Sequence, residues 1–211
     1  MKSKKMIIIA GGGHAKVLIE AILSRGDYKI EGILDNKLKV GEEIMGFPVI
    51  GGDEVLERLK DFYLAIGIGS VKASDKRKVI YERYKGSGFE FPAIIHDNAC
   101  VSKGAILQDG VQVMAGAVIN PGAKIGANTI INTGAIVEHD CDIGPHCHIS
   151  LNAALAGRVS IGGCCHVGMG ANVLQEIKIG SNVTVGAGAV VTKDVEAGKT
   201  VVGVPAEDIN G

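Results

Sequence analysis

Ile125-Gly126-Ala127-Asn128-Thr129-Ile130 is followed by Ile131-Asn132-Thr133-Gly134-Ala135-Ile136, then by Val137-Glu138-His139-Asp140-Cys141-Asp142 and Ile143-Gly144-Pro145-His146-Cys147-His148. Each hexad opens on a branched aliphatic and carries a small residue four places later. Stepping by six in both directions, the pattern runs unbroken from Ile95 to Val191, seventeen consecutive aliphatic stops. The position four residues beyond the stop is Ala, Val, Cys or Thr in all cases but Ile177. Glycine recurs directly after the stop, as in Ile125-Gly126, Ile143-Gly144, Ile161-Gly162, Ile179-Gly180 and Val185-Gly186. A six-residue period predicts a parallel β-helix in which each hexad makes a short strand and a turn. Three hexads close one triangular coil, so residues eighteen apart stack on neighbouring coils about 4.8 Å apart. The aliphatic stops fill the axis, and residues 95–196 build between five and six coils.

Composition fits such a core. Of 211 residues 31 are glycine, Trp is absent, and Phe and Tyr number four each, so the interior must be built from aliphatic and small side chains. The 22 basic and 23 acidic residues leave a net charge of −1, which argues against nucleic acid or an anionic membrane as partner. Mean hydropathy is +0.26, yet no apolar run approaches the roughly 18–20 residues of a membrane span. After Met1-Lys2-Ser3-Lys4-Lys5 only Met6 to Ala10 is apolar, too short for a secretory signal. A soluble, cytoplasmic protein is expected, with its five cysteines reduced.

The chain divides near Pro92. All eight aromatics and 16 of the 22 Lys and Arg residues precede it, while all five cysteines and five of the six histidines follow. Two domains are expected, 1–92 and 93–211. The first alternates strand and helix signals: Met6 to Ala10, a helix through Val17, Leu18, Ala21 and Ile22, a strand over Ile30 to Leu34, and a helix capped by Asp53 and running to about Lys60. A strand over Leu64 to Ile68 and a charged helix from about Lys72 to Tyr84 complete it. This alternation predicts a small parallel α/β sheet.

The hexad array resembles the left-handed β-helix of the hexapeptide acyltransferases. Three segments are similar, more narrowly, to sugar acetyltransferases acting on nucleotide-linked amino sugars, whose relatives include sialic-acid O-acetyltransferases. They are Ile9-Ala10-Gly11-Gly12-Gly13-His14-Ala15-Lys16, Asn132-Thr133-Gly134-Ala135-Ile136-Val137-Glu138-His139-Asp140-Cys141, and Val202-Gly203-Val204-Pro205-Ala206. The resemblance covers essentially the whole chain. It implies a Rossmann-like α/β domain followed by a left-handed parallel β-helix, a homotrimer, acetyl-CoA in the grooves between subunits, and no metal.

Acetyl transfer needs a base, a donor for the developing oxyanion and a groove for the pantetheine arm. His139, flanked by Glu138 and Asp140, is the candidate base, since a carboxylate on one ring nitrogen fixes the tautomer and raises the basicity of the other. The resemblance gives the base role to His139 and the polarising role to Asp140, with Glu138 the other acidic neighbour. Gly157, eighteen residues on, is expected beside His139, leaving room for the thioester and offering its N–H. His148 lies half a coil from His139, on another side of the prism; if both serve one site, they belong to different subunits. The resemblance assigns His148, Met169 and Ala187 to acetyl-CoA. His166 stacks on His148 by the same eighteen-residue rule, and His166 and His146 are expected to be solvated turn residues. Cys141, Cys147 and Cys165 fall in the inner phase and are expected to pack rather than to react or bind zinc.

Gly11-Gly12-Gly13-His14 follows a strand and opens a helix, a geometry suited to phosphate. As a dinucleotide fingerprint it is defective, with Lys16 where the third glycine belongs. By resemblance Gly12, Gly13 and His14 lie near the sugar and phosphates of a nucleotide sugar and Asp35 and Asn36 near the nucleoside, with Gly67, at the end of the third strand, in the same site. Where many hexapeptide transferases carry Lys or Arg after Pro205-Ala206, this chain has Glu207-Asp208. The expected activity is acetyl transfer to the amine of a nucleotide-linked amino sugar. The alternatives are O-acetylation of a sialic acid or related sugar, a non-catalytic nucleotide-sugar-binding scaffold, and an NAD-dependent enzyme, the last leaving the hexads unexplained.

Overall fold

The computed structural model describes residues 4–69 and 76–209. A five-stranded sheet is built from β1 (Lys4–Ile9), β2 (Tyr28–Leu34), β3 (Glu43–Ile44), β4 (Phe47–Gly51) and β5 (Tyr63–Ile66), in the order β3-β4-β2-β1-β5. Strands β5, β1, β2 and β4 are parallel, as the strand–helix alternation predicts. The edge strand β3 pairs antiparallel with β4, a hairpin that the sequence reading did not include. Side chains alternate across β1. Met6 and Ile8 pack against α1 (Gly13–Arg25), while Ile7 and Ile9 pack against α2 (Lys76–Gly86) and the 3₁₀ segment Asp53–Leu59.

Helix α1 buries Ala15, Leu18, Ile19, Ala21 and Ile22, whereas Val17 is turned outward and is 40% exposed. It ends at Gly26, whose φ of 67° closes the last turn through an N–H bond to the Ile22 carbonyl. Asp53 does not cap its segment. Gly52 occupies the cap, and Asp53, one residue inside, is drawn instead to Tyr84 and Arg83. The expected helix start at Lys72 lies outside the described residues.

From Ile94 the chain winds into a left-handed parallel β-helix of seventeen two-residue strands, ending with Val190–Val191. Its first face stacks Ile94–Ile95, Gln112–Val113, Ile130–Ile131, His148–Ile149, His166–Val167 and Thr184–Val185, then Thr200–Val202 and, antiparallel, Glu207–Asp208. The second face begins at Cys100–Val101 and the third at Ile106–Leu107. Register is eighteen residues through the seventeen strands, His148 pairing with His166 and Val137 with Leu155, and shortens to sixteen where Thr184 pairs with Thr200. The stops from Val113 to Val191 are buried, and Ile95, Val101 and Leu107 are half-buried where the first coil leaves the axis open.

Two kinds of glycine serve the coil. From residue 110 to residue 188 one residue per hexad, three after the stop, turns the corner with positive φ; it is Gly at 110, 116, 122, 134, 170 and 188, but Asn128, Asp140, His146, Asn152, Arg158, Cys164, Glu176 and Asn182 elsewhere. The glycines directly after the stop have a different reason. A side-chain carbon on Gly126, Gly144, Gly162, Gly180 or Gly186 would come within 2.5–2.7 Å of the next coil. Inside the corners Thr129, Cys147 and Cys165 form a column in which each hydroxyl or thiol donates to the carbonyl fifteen residues on and accepts the N–H eighteen residues on. Their burial as packing groups follows the hexad phase.

Gly144→Ala should therefore destabilise the fold by about 1–3 kcal/mol, because backbone rather than a movable side chain opposes the methyl. Asn152→Gly, at a corner already in the left-handed region, should stay within about 1 kcal/mol of the parent. Denaturant unfolding of both variants checks the distinction.

Candidate functional site

The turn after β1 and the ends of β2 and β5 enclose a cavity of about 570 Å³. All six residues assigned from sequence to the nucleotide sugar line it: Gly12, Gly13, His14, Asp35, Asn36 and Gly67. They do different things. Asp35 bolts the turn together, accepting N–H bonds from Gly11 (2.9 Å), Lys37 (2.8 Å) and Leu38 (3.2 Å). Partial burial pushes its carboxyl pKa up, but these backbone bonds outweigh burial and leave it below the usual value. Gly67 allows the β5 loop to approach the turn, since a side chain there would strike the Ala10 carbonyl and Ala15. A side-chain carbon on Gly12 or Gly13 would meet nothing within 4 Å, so packing does not demand glycine there and the N-terminus of α1 stays open to a ligand.

Sequence reasoning missed the far wall. The Asp53 carboxylate takes the Tyr84 hydroxyl at 2.6 Å and Arg83 at 2.5 Å, and all three line the cavity. Those bonds, Tyr84 first, hold Asp53 below its ordinary pKa. Arg83 and Tyr84 are adjacent on a charged helix, and no local pattern points them at Asp53, thirty residues away.

A second, larger groove of about 720 Å³ runs along the first face of the prism. His148, Met169 and Ala187, the residues assigned to acetyl-CoA, line it together with His166. His148 and His166 are both buried and meet edge to face at 5.1 Å, so His166 is no solvated turn residue. His146 is not one either: it packs on Tyr81 of α2 and bonds Asn128. The Asn132 Oδ1 accepts the Thr133 N–H, which leaves its amide N–H to donate to His148 Nε2 at 2.9 Å. With Nε2 the acceptor, the tautomer this bond selects has the ring proton on Nδ1. The two cavities meet, sharing His14, Gly69 and Lys76.

His139, Glu138, Asp140 and Gly157 sit elsewhere on the chain. They lie at the edge between the second and third faces, across the prism from His148. The His139 Nδ1–H donates to Asp140 Oδ2 at 2.9 Å, and Glu138 Oε2 accepts the His139 backbone N–H at 3.0 Å. Nε2 faces Gly157, where a side-chain carbon would lie 2.6 Å from it. The Gly157 N–H makes none of the coil-to-coil bonds made by its neighbours Ala156 and Arg158. Gly157 thus belongs with His139, away from the groove that holds His148, Met169 and Ala187.

Among the described residues no three His, Cys, Asp or Glu side chains converge as a metal site, and no helix is long and apolar enough to cross a membrane. At the far end of the groove's face, Glu207 pairs with Lys193 and Asp208 with Lys199.

The family described as the PglD N-terminal domain matches residues 5–84. The chain is 39% identical over 108 residues to UDP-N-acetylbacillosamine N-acetyltransferase of Bacillus subtilis, a stretch covering 49% of this chain and 48% of that protein, so the match spans about half the curated relative's length. The acetyltransferase domain of PglB from Neisseria gonorrhoeae FA1090, solved also in complex with acetyl coenzyme A, superposes with a TM-score of 0.91 at 37% identity over 98% of this chain and all of that one. PerB from Caulobacter crescentus, solved with CoA and GDP-perosamine, superposes with a TM-score of 0.90 at 39% identity, covering 97% of this chain and 96% of its own.

His14 offers a direct check of the geometry. Burial first, then the Arg77 guanidinium, lowers its pKa from 6.5 to about 4, against a hydrogen bond donated to Gln112 Oε1 that raises it. Between those two values the unfolded chain binds a proton that the folded one refuses, so stability falls as pH drops from 6.5 toward 4. His14→Gln removes this contribution and should lose less Tm between pH 7 and pH 5 than the parent, as calorimetry at the two pH values would show.

Proposed function

Because the chain belongs to the hexapeptide-repeat sugar acetyltransferases that include the PglB acetyltransferase domain and PerB, we propose that it moves an acetyl group from acetyl-CoA to the amine of a nucleotide-linked amino sugar. The observation that carries this reading is the junction of the two cavities at His14, Gly69 and Lys76. A pyrophosphate seated at the open N-terminus of α1 would project its sugar toward a groove lined by His148, Met169 and Ala187, where a thioester fits. Residues 1–92 would then supply recognition and 93–211 the chemistry.

In this reading His139 is the base. Asp140 on Nδ1 leaves the lone pair on Nε2, which takes a proton from the amine as its nitrogen attacks the thioester carbonyl. The tetrahedral adduct collapses to the amide and CoA thiolate, which is reprotonated by the imidazolium. His148, with its Nδ1–H, and the Gly157 N–H are the donors assigned to the thioester oxygen. Groove and base lie on opposite sides of one prism, so the working unit is a homotrimer in which a neighbour's His139 faces each groove. The protein acts in the cytoplasm.

Light scattering should give three times 21.8 kDa. Thiol release from acetyl-CoA, assayed with UDP-, GDP- and dTDP-linked 4-amino sugars and with free sialic acid, should appear only with an amino-sugar conjugate. His139→Ala should lower kcat by about 10²–10⁴-fold. His139→Ala and His148→Ala subunits, each inactive alone, should regain activity when unfolded and refolded together. Gly157→Ala, which pushes a methyl into the exposed His139 ring, should lower kcat by at least about tenfold with Tm nearly unchanged. Release with sialic acid alone would move the acceptor to a hydroxyl; no release with any acceptor would end the catalytic reading.

A further inference from the structure

Gln112 stands on the outer side of the prism's first face, yet it is 1% exposed because the α/β domain covers it. Its Nε2–H donates to the Ile66 carbonyl at 3.0 Å. A carbonyl only accepts, so the amide has one orientation, and Oε1 is turned to His14 Nε2 at 2.9 Å. An oxygen there requires a proton on His14 Nε2. The buried Arg77 guanidinium, bonded to the Ile66 and Ile68 carbonyls of the same loop, opposes a second proton on the ring. With one proton, and that one on Nε2, the Nδ1 of His14 is a lone pair. It lies beside Gly69, 3.7 Å from the place of a side-chain carbon there, and His14 and Gly69 both line the two cavities where they join.

A lone pair repels phosphate oxygen and attracts N–H or O–H. Resting on the reading of the preceding section, we propose that Gln112 fixes His14 as the Nε2–H tautomer, and that His14 Nδ1 accepts a hydrogen from the nucleophilic amine of the acceptor sugar rather than contacting the pyrophosphate. Gln112 is then a positioning residue for acceptor choice, acting through His14. The division of labour with His139 follows. An imidazole that gains its proton only near pH 4 is too weak a base to deprotonate an amine at neutral pH. It can orient the amine by holding one N–H while the other proton leaves to His139.

Three measurements test this. A long-range ¹⁵N–¹H correlation spectrum of the protein alone should show His14 protonated on Nε2; an Nδ1–H signal overturns the assignment whatever the substrate proves to be. Isothermal titration of His14→Gln and His14→Asn, with UDP, GDP and dTDP and with their 4-amino-sugar conjugates, tests the contact. Glutamine keeps an N–H at the Nε2 position but has no acceptor at Nδ1, whereas asparagine places an amide group there. Affinity for the bare diphosphate should stay within about twofold in both variants, while the conjugate should weaken about tenfold in His14→Gln, roughly one hydrogen bond, and less in His14→Asn. An equal loss for diphosphate and conjugate would make His14 a phosphate ligand and overturn the proposal. If the unsubstituted protein bound no conjugate, the parent reading would fail, and the spectrum would still decide the tautomer. Gln112→Leu should raise the KM of the amino sugar several-fold at unchanged KM for acetyl-CoA; a rise in both would mark a merely structural role.

Discussion

Eighteen residues per coil is the constraint on which the rest of the molecule hangs. It sets which side chain lies above which, so that the same outward position on the first face holds Gln112, Ile130, His148, His166 and Thr184 in turn. It also sets how close the backbones come, and the glycines after the aliphatic stops exist because neighbouring coils leave no space for a side-chain carbon. The α/β domain covers Gln112 and leaves His148, His166 and Thr184 to line a groove. The site is therefore a matter of where along a regular ladder the covering stops.

The seam between the two halves is made by buried polar groups as much as by apolar packing. Arg77 reaches from α2 to the Ile66 and Ile68 carbonyls and across to Asn128 on the prism, without a carboxylate partner among the described residues. Gln112 reaches the other way, from prism to β5 loop and to His14. Buried polar contacts of this kind have few alternative geometries, since an unpaired group costs more than a paired one returns. The junction of the two cavities is consequently held by directional bonds, and packing around Met114, Ile94 and α1 fills in behind them.

How much of this was legible follows from the range of the interactions. The β-helix could be read because its contacts repeat at a fixed spacing, which also places Gly157 beside His139 and His148 on His166. The cavity residues from Gly12 to Gly67 could be read because strand ends and turns have local signatures. The Asp53–Tyr84–Arg83 cluster and the Gln112–His14 bond could not, because each joins elements far apart in the chain with no periodicity to link them. His166 and His146 were misjudged for a related reason: local sequence shows a polar residue on a polar face, and only packing reveals what has been laid over it. Asp53 as a cap failed more simply, since a stronger pair of donors on α2 claims its carboxylate.

A parallel β-helix has an unsolved problem at its last coil, where a row of backbone donors and acceptors faces outward and invites another chain to continue the ladder. The strand Glu207–Asp208 runs antiparallel to the coils and carries two carboxylates, one paired to Lys193 and the other to Lys199. A reversed, charged strand is a poor template for further parallel pairing. Read as groups to hold a CoA phosphate, these acids have the wrong sign; paired to lysines on a reversed strand, they break the parallel ladder of the first face.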